Sequence, residues 1–136
     1  MIKQYHITLR EYPKGIHLIT TVILNNLEQL PEKGLLNIFL QHTSAGLSIN
    51  ENADPSVRVD MELFLNKTVP ENSPYFTHIF EGSDDMPAHI KSSIFGNSIT
   101  IPIVDFKLGL GIWQGIYLGE FRNHGGKRKL IITIYT

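Results

Sequence analysis

Apolar and polar positions alternate along Lys3 to Arg10, "KQYHITLR", as they do in a strand with one buried face. Tyr12-Pro13-Lys14-Gly15 has the composition of a turn. The period then lengthens. Val22, Ile23, Leu27 and Leu30 fall at helical spacing and predict a helix over Thr20 to Leu30, capped by Thr20 or Thr21 and stopped by Pro31. Leu35 to Gln41, "LLNIFLQ", is nearly all apolar and reads as a buried strand. The polar stretch "HTSAGLSINENADP" follows, interrupted by the strand-like "LSI". At its end Asp54 caps and Pro55 opens a helix that runs to about Lys67. Val57, Met61, Phe64 and Leu65 share one face of this helix, with Arg58 and Glu62 placed to pair on the other. A further helix starts near Met86, capped by Asp84 or Asp85, carries Ile90 and Ile94 inward and ends at Gly96. The remainder reads as strands "SITIPIV", "IWQGIYLGEF" and "KLIITIYT", the last two joined as a hairpin by "RNHGGKR".

This order predicts an α+β fold, mainly antiparallel sheet or sandwich, with two or three short helices. So much sheet in so short a chain leaves edges open, which favours oligomers. The length, 136 residues, suits one domain over 1–136, and 42% hydrophobic against 18% charged residues suits a packed core. A net charge of -1 argues against bulk electrostatic binding of nucleic acid. With no cysteine, disulfides, thiolate metal sites and cysteine nucleophiles are excluded, so any metal must be held by His, Asp, Glu or backbone oxygen. "MIKQYHITLREYPKG" shows no secretory h-region, and no segment approaches the roughly 18 apolar residues of a membrane span. The expectation is a soluble, cytoplasmic protein without membrane or nucleic-acid partners.

Among six histidines, His42, His78 and His89 sit in polar places near element ends. Three imidazoles with an open position form a catalytic zinc pattern, but without HExxH they must meet through folding. The plainer reading is hydrogen-bonded histidines at element ends. Asp54 and one of Asp84 and Asp85 serve as helix caps. Glu81 and the other aspartate are free to orient a histidine or to hold magnesium on a diphosphate; a solvated acidic loop explains them too. Helix N-termini near Pro55 and Met86 offer N–H groups to an anion. Ser44, Asn50 and Asn52 add neutral donors, as do Ser92 and Ser93. Lys91 and Arg128 are candidate phosphate partners, against a solvated helix face and a cross-strand pair respectively. Trp113 can stack on an aromatic ring and Gln114 fix its polar edge, although a lone Trp more often fills a core or an interface. Glu120 is a candidate acid or base, or an ion-pair partner for Arg128. Ser44 lies in no GxSxG elbow, which discounts serine nucleophile chemistry.

The blocks "LQHTSAGLSINENADPSVRVDME", "TVPEN", "EGSDDMPAHIKSS", "GIWQGIYLGEFR" and "HGGKRKLIITI" closely resemble the YjbQ family, also called UPF0047, over nearly the whole chain. The resemblance implies a compact α+β domain assembling as a homotrimer, and a secondary thiamine-phosphate synthase activity. In that reaction a pyrimidine diphosphate is joined to a thiazole phosphate with release of pyrophosphate. It would place His42, His78 and His89 on a divalent metal, zinc, with magnesium the choice for a diphosphate substrate. His42, Asp85 and Glu120 would be catalytic. Ser44, Asn50, Asn52, Lys91, Trp113, Gln114 and Arg128 would bind the small phosphorylated heterocycle. Two departures stand out: Ile112 replaces the Thr usual before Trp-Gln, and the last turn has the "HGG" form rather than "DGPR". A non-catalytic trimer that binds a metal or an anionic metabolite is the alternative, as is a metal-dependent phosphatase-type hydrolase.

Overall fold

A computed structural model describes all residues, 1–136. The elements in chain order are β1 (Ile2–Thr8), β2 (Gly15–Leu18), α1 (Thr20–Asn25), β3 (Lys33–Leu40), β4 (Ala45–Glu51), α2 (Pro55–Thr68), α3 (Asp85–Phe95), β5 (Ser98–Val104), β6 (Lys107–Leu108), β7 (Gln114–Glu120) and β8 (Lys129–Tyr135). They build two antiparallel sheets, β1-β8-β3-β5-β6 and β2-β7-β4. This is the expected α+β class.

The main core lies between the sheets. Leu36, Ile38 and Leu40 of β3 and Leu130, Ile132 and Ile134 of β8 meet Ala45 and Leu47 of β4 and Ile116 and Leu118 of β7. The other face of the small sheet carries a second core, where Ile16 and Tyr117 pack with Leu65 of α2, Ala88 of α3 and Phe121. Strand β7 is therefore buried on both faces, which is why "IYL" shows no alternation. The large sheet has no helix on its outer face. Its β3 was expected to be buried throughout, yet Leu35 and Phe39 are 48% and 42% exposed. With one side covered, only alternate residues are inside.

Other expectations are corrected in the same way. The helix predicted to Leu30 stops at Asn25, and Thr20 does not cap it; the Thr20 hydroxyl accepts the Ile116 N–H instead, tying α1 to β7. Helix α2 starts as predicted, with Asp54 Oδ1 accepting from Ser56 N at 2.9 Å. Its Phe64, however, is exposed, and Arg58 forms no ion pair with Glu62: its Nη1 is buried without a partner. Ile94 of α3 also faces out. Strand β2 was not foreseen, since four residues are too few to show a period. The "RNHGGKR" segment is no hairpin. It carries the chain from one sheet to the other, and β8 pairs with β1 and β3.

Helix α3 lies close on β4 because Gly46 has no side chain; a Cβ there would come within 2.7 Å of Phe95 Cβ and 3.0 Å of Gly96 O. That approach brings His89 of α3 beside Thr43, just ahead of β4. No helix is long and apolar enough to cross a membrane.

Candidate functional site

Asp84 and Asp85 open α3, but neither caps it: no side-chain cap bond forms at Asp84, the N-cap position. Both carboxylates hold Arg122, just past β7. Arg122 Nε donates to Asp84 Oδ2 at 3.0 Å and Nη1 to Asp85 Oδ1 at 2.6 Å, while Nη2 reaches the Glu81 carbonyl at 2.9 Å. Asn123 N–H completes Asp84 at 2.9 Å. Burial pushes the Asp84 carboxyl up, yet the Asn123 N–H and the Arg122 guanidinium outweigh it and hold it below the usual value. No local pattern marks Arg122 in the sequence. The signal lies elsewhere, in an aspartate pair that needs a cation.

The other oxygen of Asp85 faces two histidines. His78 Nε2 lies 2.6 Å and His89 Nε2 3.0 Å from Asp85 Oδ2, and the ligand atoms of the three lie within 4.8 Å of one another. On its far side His89 Nδ1 is 2.7 Å from the Thr43 carbonyl. A carbonyl only accepts, so Nδ1 carries the hydrogen and donates. In the neutral ring Nε2 then points a lone pair at a carboxylate, an arrangement that calls for a cation between them. An N–H donated to a backbone carbonyl is also how metal-ligating histidines are oriented. The donor set thus fits a divalent metal at His78, Asp85 and His89.

His42 is not in this group, contrary to the three-histidine expectation. Its Nε2 accepts the Lys129 N–H at 2.8 Å. Burial first, then the charges of Arg128 and Lys129, lower its pKa, so the ring stays neutral with its hydrogen on Nδ1. His42 and His89 instead share a cavity of about 580 Å³ whose lining, including Thr43, Ser93 and Asn97, has no hydrophobic residue. Ser92 is also at this cavity, but its hydroxyl donates to the Ala45 carbonyl at 2.7 Å.

Beneath His42 lies a buried ion pair. Arg128 donates through Nε to Glu120 Oε1 at 2.7 Å and through Nη2 to Oε2 at 2.6 Å. The same Nη2 reaches Ser44 Oγ at 2.9 Å. Glu120 is 0% and Arg128 4% exposed, so Glu120 is the ion-pair partner rather than an open acid or base, and neither Arg128 nor buried Ser44 faces a ligand. Gly125 of the "HGG" turn packs on this pair; a Cβ there would meet both Glu120 oxygens at 2.6 Å.

Lys91 is corrected as well. Read as a phosphate partner or a solvated residue, it is 2% exposed between α3 and α2, where Nζ donates to Asn66 Oδ1 at 2.6 Å. Burial, then the charge of Lys14, lowers its pKa to about 8. The unfolded chain keeps the ordinary value of 10.5, so between about 8 and 10.5 it binds a proton that the folded chain has released. Unfolding free energy attributable to this group should therefore rise with pH across that window. In urea titrations at pH 7.5 and 9.5, Lys91→Met should flatten the rise; an unchanged slope would show that Lys91 is not the group responsible.

Asn50, Asn52, Trp113 and Gln114 do not join these residues within one chain. Strands β4 and β7 pair Ala45 with Glu120 at one end and Glu51 with Gln114 at the other. Six residues of strand put about 20 Å between the two ends. Asn52 Nδ2 donates to the carbonyls of Ile112 and Gln114 at 3.2 and 3.1 Å, and Gln114 Oε1 accepts from Gly111 N at 2.8 Å. Asn50 Oδ1 accepts the following N–H, from Glu51, at 2.8 Å. The Asn52 and Gln114 amides brace a turn, and Trp113 is 62% exposed on it.

Comparison with known proteins gives one consistent result. The family described as "UPF0047 protein YjbQ-like" matches residues 5–136. UPF0047 protein YjbQ of Salmonella typhimurium is 56% identical over 133 residues, 96% of each chain, and that of Escherichia coli O157:H7 is 51% identical over the same shares. Among solved structures, a YjbQ/UPF0047 protein of Clostridium acetobutylicum, described as uncharacterized, is 34% identical with a TM-score of 0.81, covering 96% of this chain and 99% of its own. A conserved hypothetical protein of Thermus thermophilus is 29% identical with a TM-score of 0.83, covering 94% and 97%.

Proposed function

The chain belongs to the UPF0047 YjbQ-like family, and from that premise we propose that it is a metal-assisted enzyme acting on a small phosphorylated heterocycle. The observation that carries this is the convergence of His78, Asp85 and His89 within 4.8 Å beside a polar cavity. Two imidazoles and a carboxylate favour zinc over magnesium, which prefers oxygen ligands and several waters. When bound, the metal supplies Lewis-acid polarisation of a phosphoryl oxygen. Arg122 fixes Asp85, the Thr43 carbonyl fixes the tautomer of His89, and neutral His42 offers an N–H donor at Nδ1. The Thr43 and Ser93 hydroxyls and the Asn97 amide add uncharged donors for phosphate oxygens.

The transferase form of this reading is thiamine-phosphate synthesis. The bond from the pyrimidine methylene to the diphosphate oxygen breaks, pyrophosphate leaves with the electron pair, and the thiazole nitrogen bonds to the methylene carbon. The hydrolase form, cleavage of a phosphate ester, is favoured by the donor set, since imidazole-rich catalytic zinc sites keep a position open for water. Assembly as a homotrimer is part of the proposal. The exposed apolar residues Phe64 and Ile94, which border one cavity with Met61 and Phe95, support it, because lone monomers rarely leave such groups together in water.

Metal analysis of untagged protein purified without chelator tests the reading. About one transition-metal ion per chain is expected, lost in His78→Ala and His89→Ala and retained in His42→Ala. A native protein that takes up no metal when zinc is offered would end it.

A further inference from the structure

The histidines of the candidate metal group each wall a different cavity. His89 borders the polar cavity of about 580 Å³. His78 borders another, about 320 Å³, on the side of the segment between α2 and α3, lined by Phe76, Ile79 and Met86 among other residues. The two rings stand 5.3 Å apart between centroids, and both Nε2 atoms address the same oxygen of Asp85. A ligand whose phosphoryl group sits at the group can therefore extend to either side. One side is lined by polar side chains and Gly96; the other sets an aromatic ring, a branched alkyl chain and a thioether among the polar Asn72, Ser73 and Ser83.

We propose that the cavity under Phe76, Ile79 and Met86 is a second subsite, which takes the apolar or aromatic half of the phosphorylated substrate while the polar half occupies the cavity beside His89. The inference rests on the reading of the metal group above and names the substrate class: phosphate esters of ring-bearing, weakly polar alcohols, in preference to inorganic phosphate and sugar phosphates. It also moves the aromatic contact from Trp113, at the far end of the small sheet, to Phe76. A ring-sized apolar group needs an apolar wall, and cavities of a few hundred Å³ are the usual size for such sites.

Calorimetric titration of zinc-treated protein with phenyl phosphate, inorganic phosphate and glycerol phosphate tests this. Phenyl phosphate should bind at least about tenfold more tightly than the other two, because only its ring leaves water for an apolar wall. Phe76→Ala and Ile79→Ser should each reduce that advantage, and together abolish it, with inorganic phosphate affinity and metal content unchanged. Ile79 is 59% exposed, so its variant tests the subsite even where Phe76→Ala fails to fold. Equal affinity for phenyl and inorganic phosphate in protein carrying one metal per chain would overturn the subsite and leave the metal reading standing. An advantage that survives both substitutions would overturn it too. A phenyl advantage that persists in protein taking up no metal, and is lost in the variants, would support the subsite and sink the metal reading alone.

Discussion

Arg128→Ala is expected to cost about 3–5 kcal/mol of folding stability, a large part of the 5–15 kcal/mol of an ordinary domain. The loss follows from what remains. Glu120 is 0% exposed and its two oxygens accept from Arg128 at 2.7 and 2.6 Å. Without the guanidinium, the carboxylate keeps only the Arg122 N–H at 3.2 Å as a charge-stabilising partner. Replacing both members tells a different story. The double variant Glu120→Leu with Arg128→Met removes both charges from the interior and should lose far less than the sum of the single changes. Urea denaturation of the two single variants and the double one measures the coupling. An Arg128→Ala cost below about 1 kcal/mol would mean that water reaches Glu120, and the buried pair would not be what holds the crossing between the sheets.

Asp85→Ala should have the second-largest effect, on two independent readouts. As a helix cap alone, Asp85 would be worth about 1 kcal/mol. In the fold it is a buried carboxylate shared by Arg122, His78 and His89, which raises the expected cost to roughly 2–3 kcal/mol. The figure stays below that for Arg128 because the Arg122 side chain is 26% exposed and can turn to solvent. Metal uptake should fall to nothing in the same variant. Asp85→Asn keeps the shape and should still lose most metal, which separates ligation from packing. The group also carries a pH dependence. Burial pushes the Asp85 carboxyl up, but the hydrogen bond from His78 and the charge of Arg122 hold it below the usual 3.8. Its stabilisation is then complete above 3.8 and disappears as pH falls through the lower folded value. Acid unfolding of Asp85→Asn should lack that component; retention of metal by Asp85→Asn would remove Asp85 from the ligand set.

Parts of the candidate site were legible because they rest on local chemistry. His78, Asp85 and His89 fall within twelve residues, and His89 follows Asp85 by one helical turn, so the pairing at 3.0 Å is written into the spacing. The partners from elsewhere were not legible. Thr43 acts through its carbonyl, which has no residue-type signature, and it meets His89 across 46 positions of chain. Arg122 meets Asp85 across 37. His42 has the residue type of a third ligand, but the Lys129 N–H occupies its Nε2. Lys91 and Arg128 share the charge a phosphate partner needs, but both are buried, and no local pattern separates a buried cation from an exposed one.

The sequence by itself determined the class of the fold, the start of α2, the extent of α3 and the runs that became β1, β3, β5, β7 and β8. Periodicity, a proline at a helix start and a glycine after a helix end are properties of neighbouring residues, and they act wherever the chain goes. Only the tertiary structure decided that β7 and β8 belong to different sheets, that the outer face of β3 stays uncovered, and that Asn52 and Trp113 lie about 20 Å along the strands from Glu120. Those outcomes depend on which surfaces find one another. A strand shows its period to any partner, but burial of its second face, the cation its carboxylate meets and the cavity beside its histidine are set by segments tens of residues away.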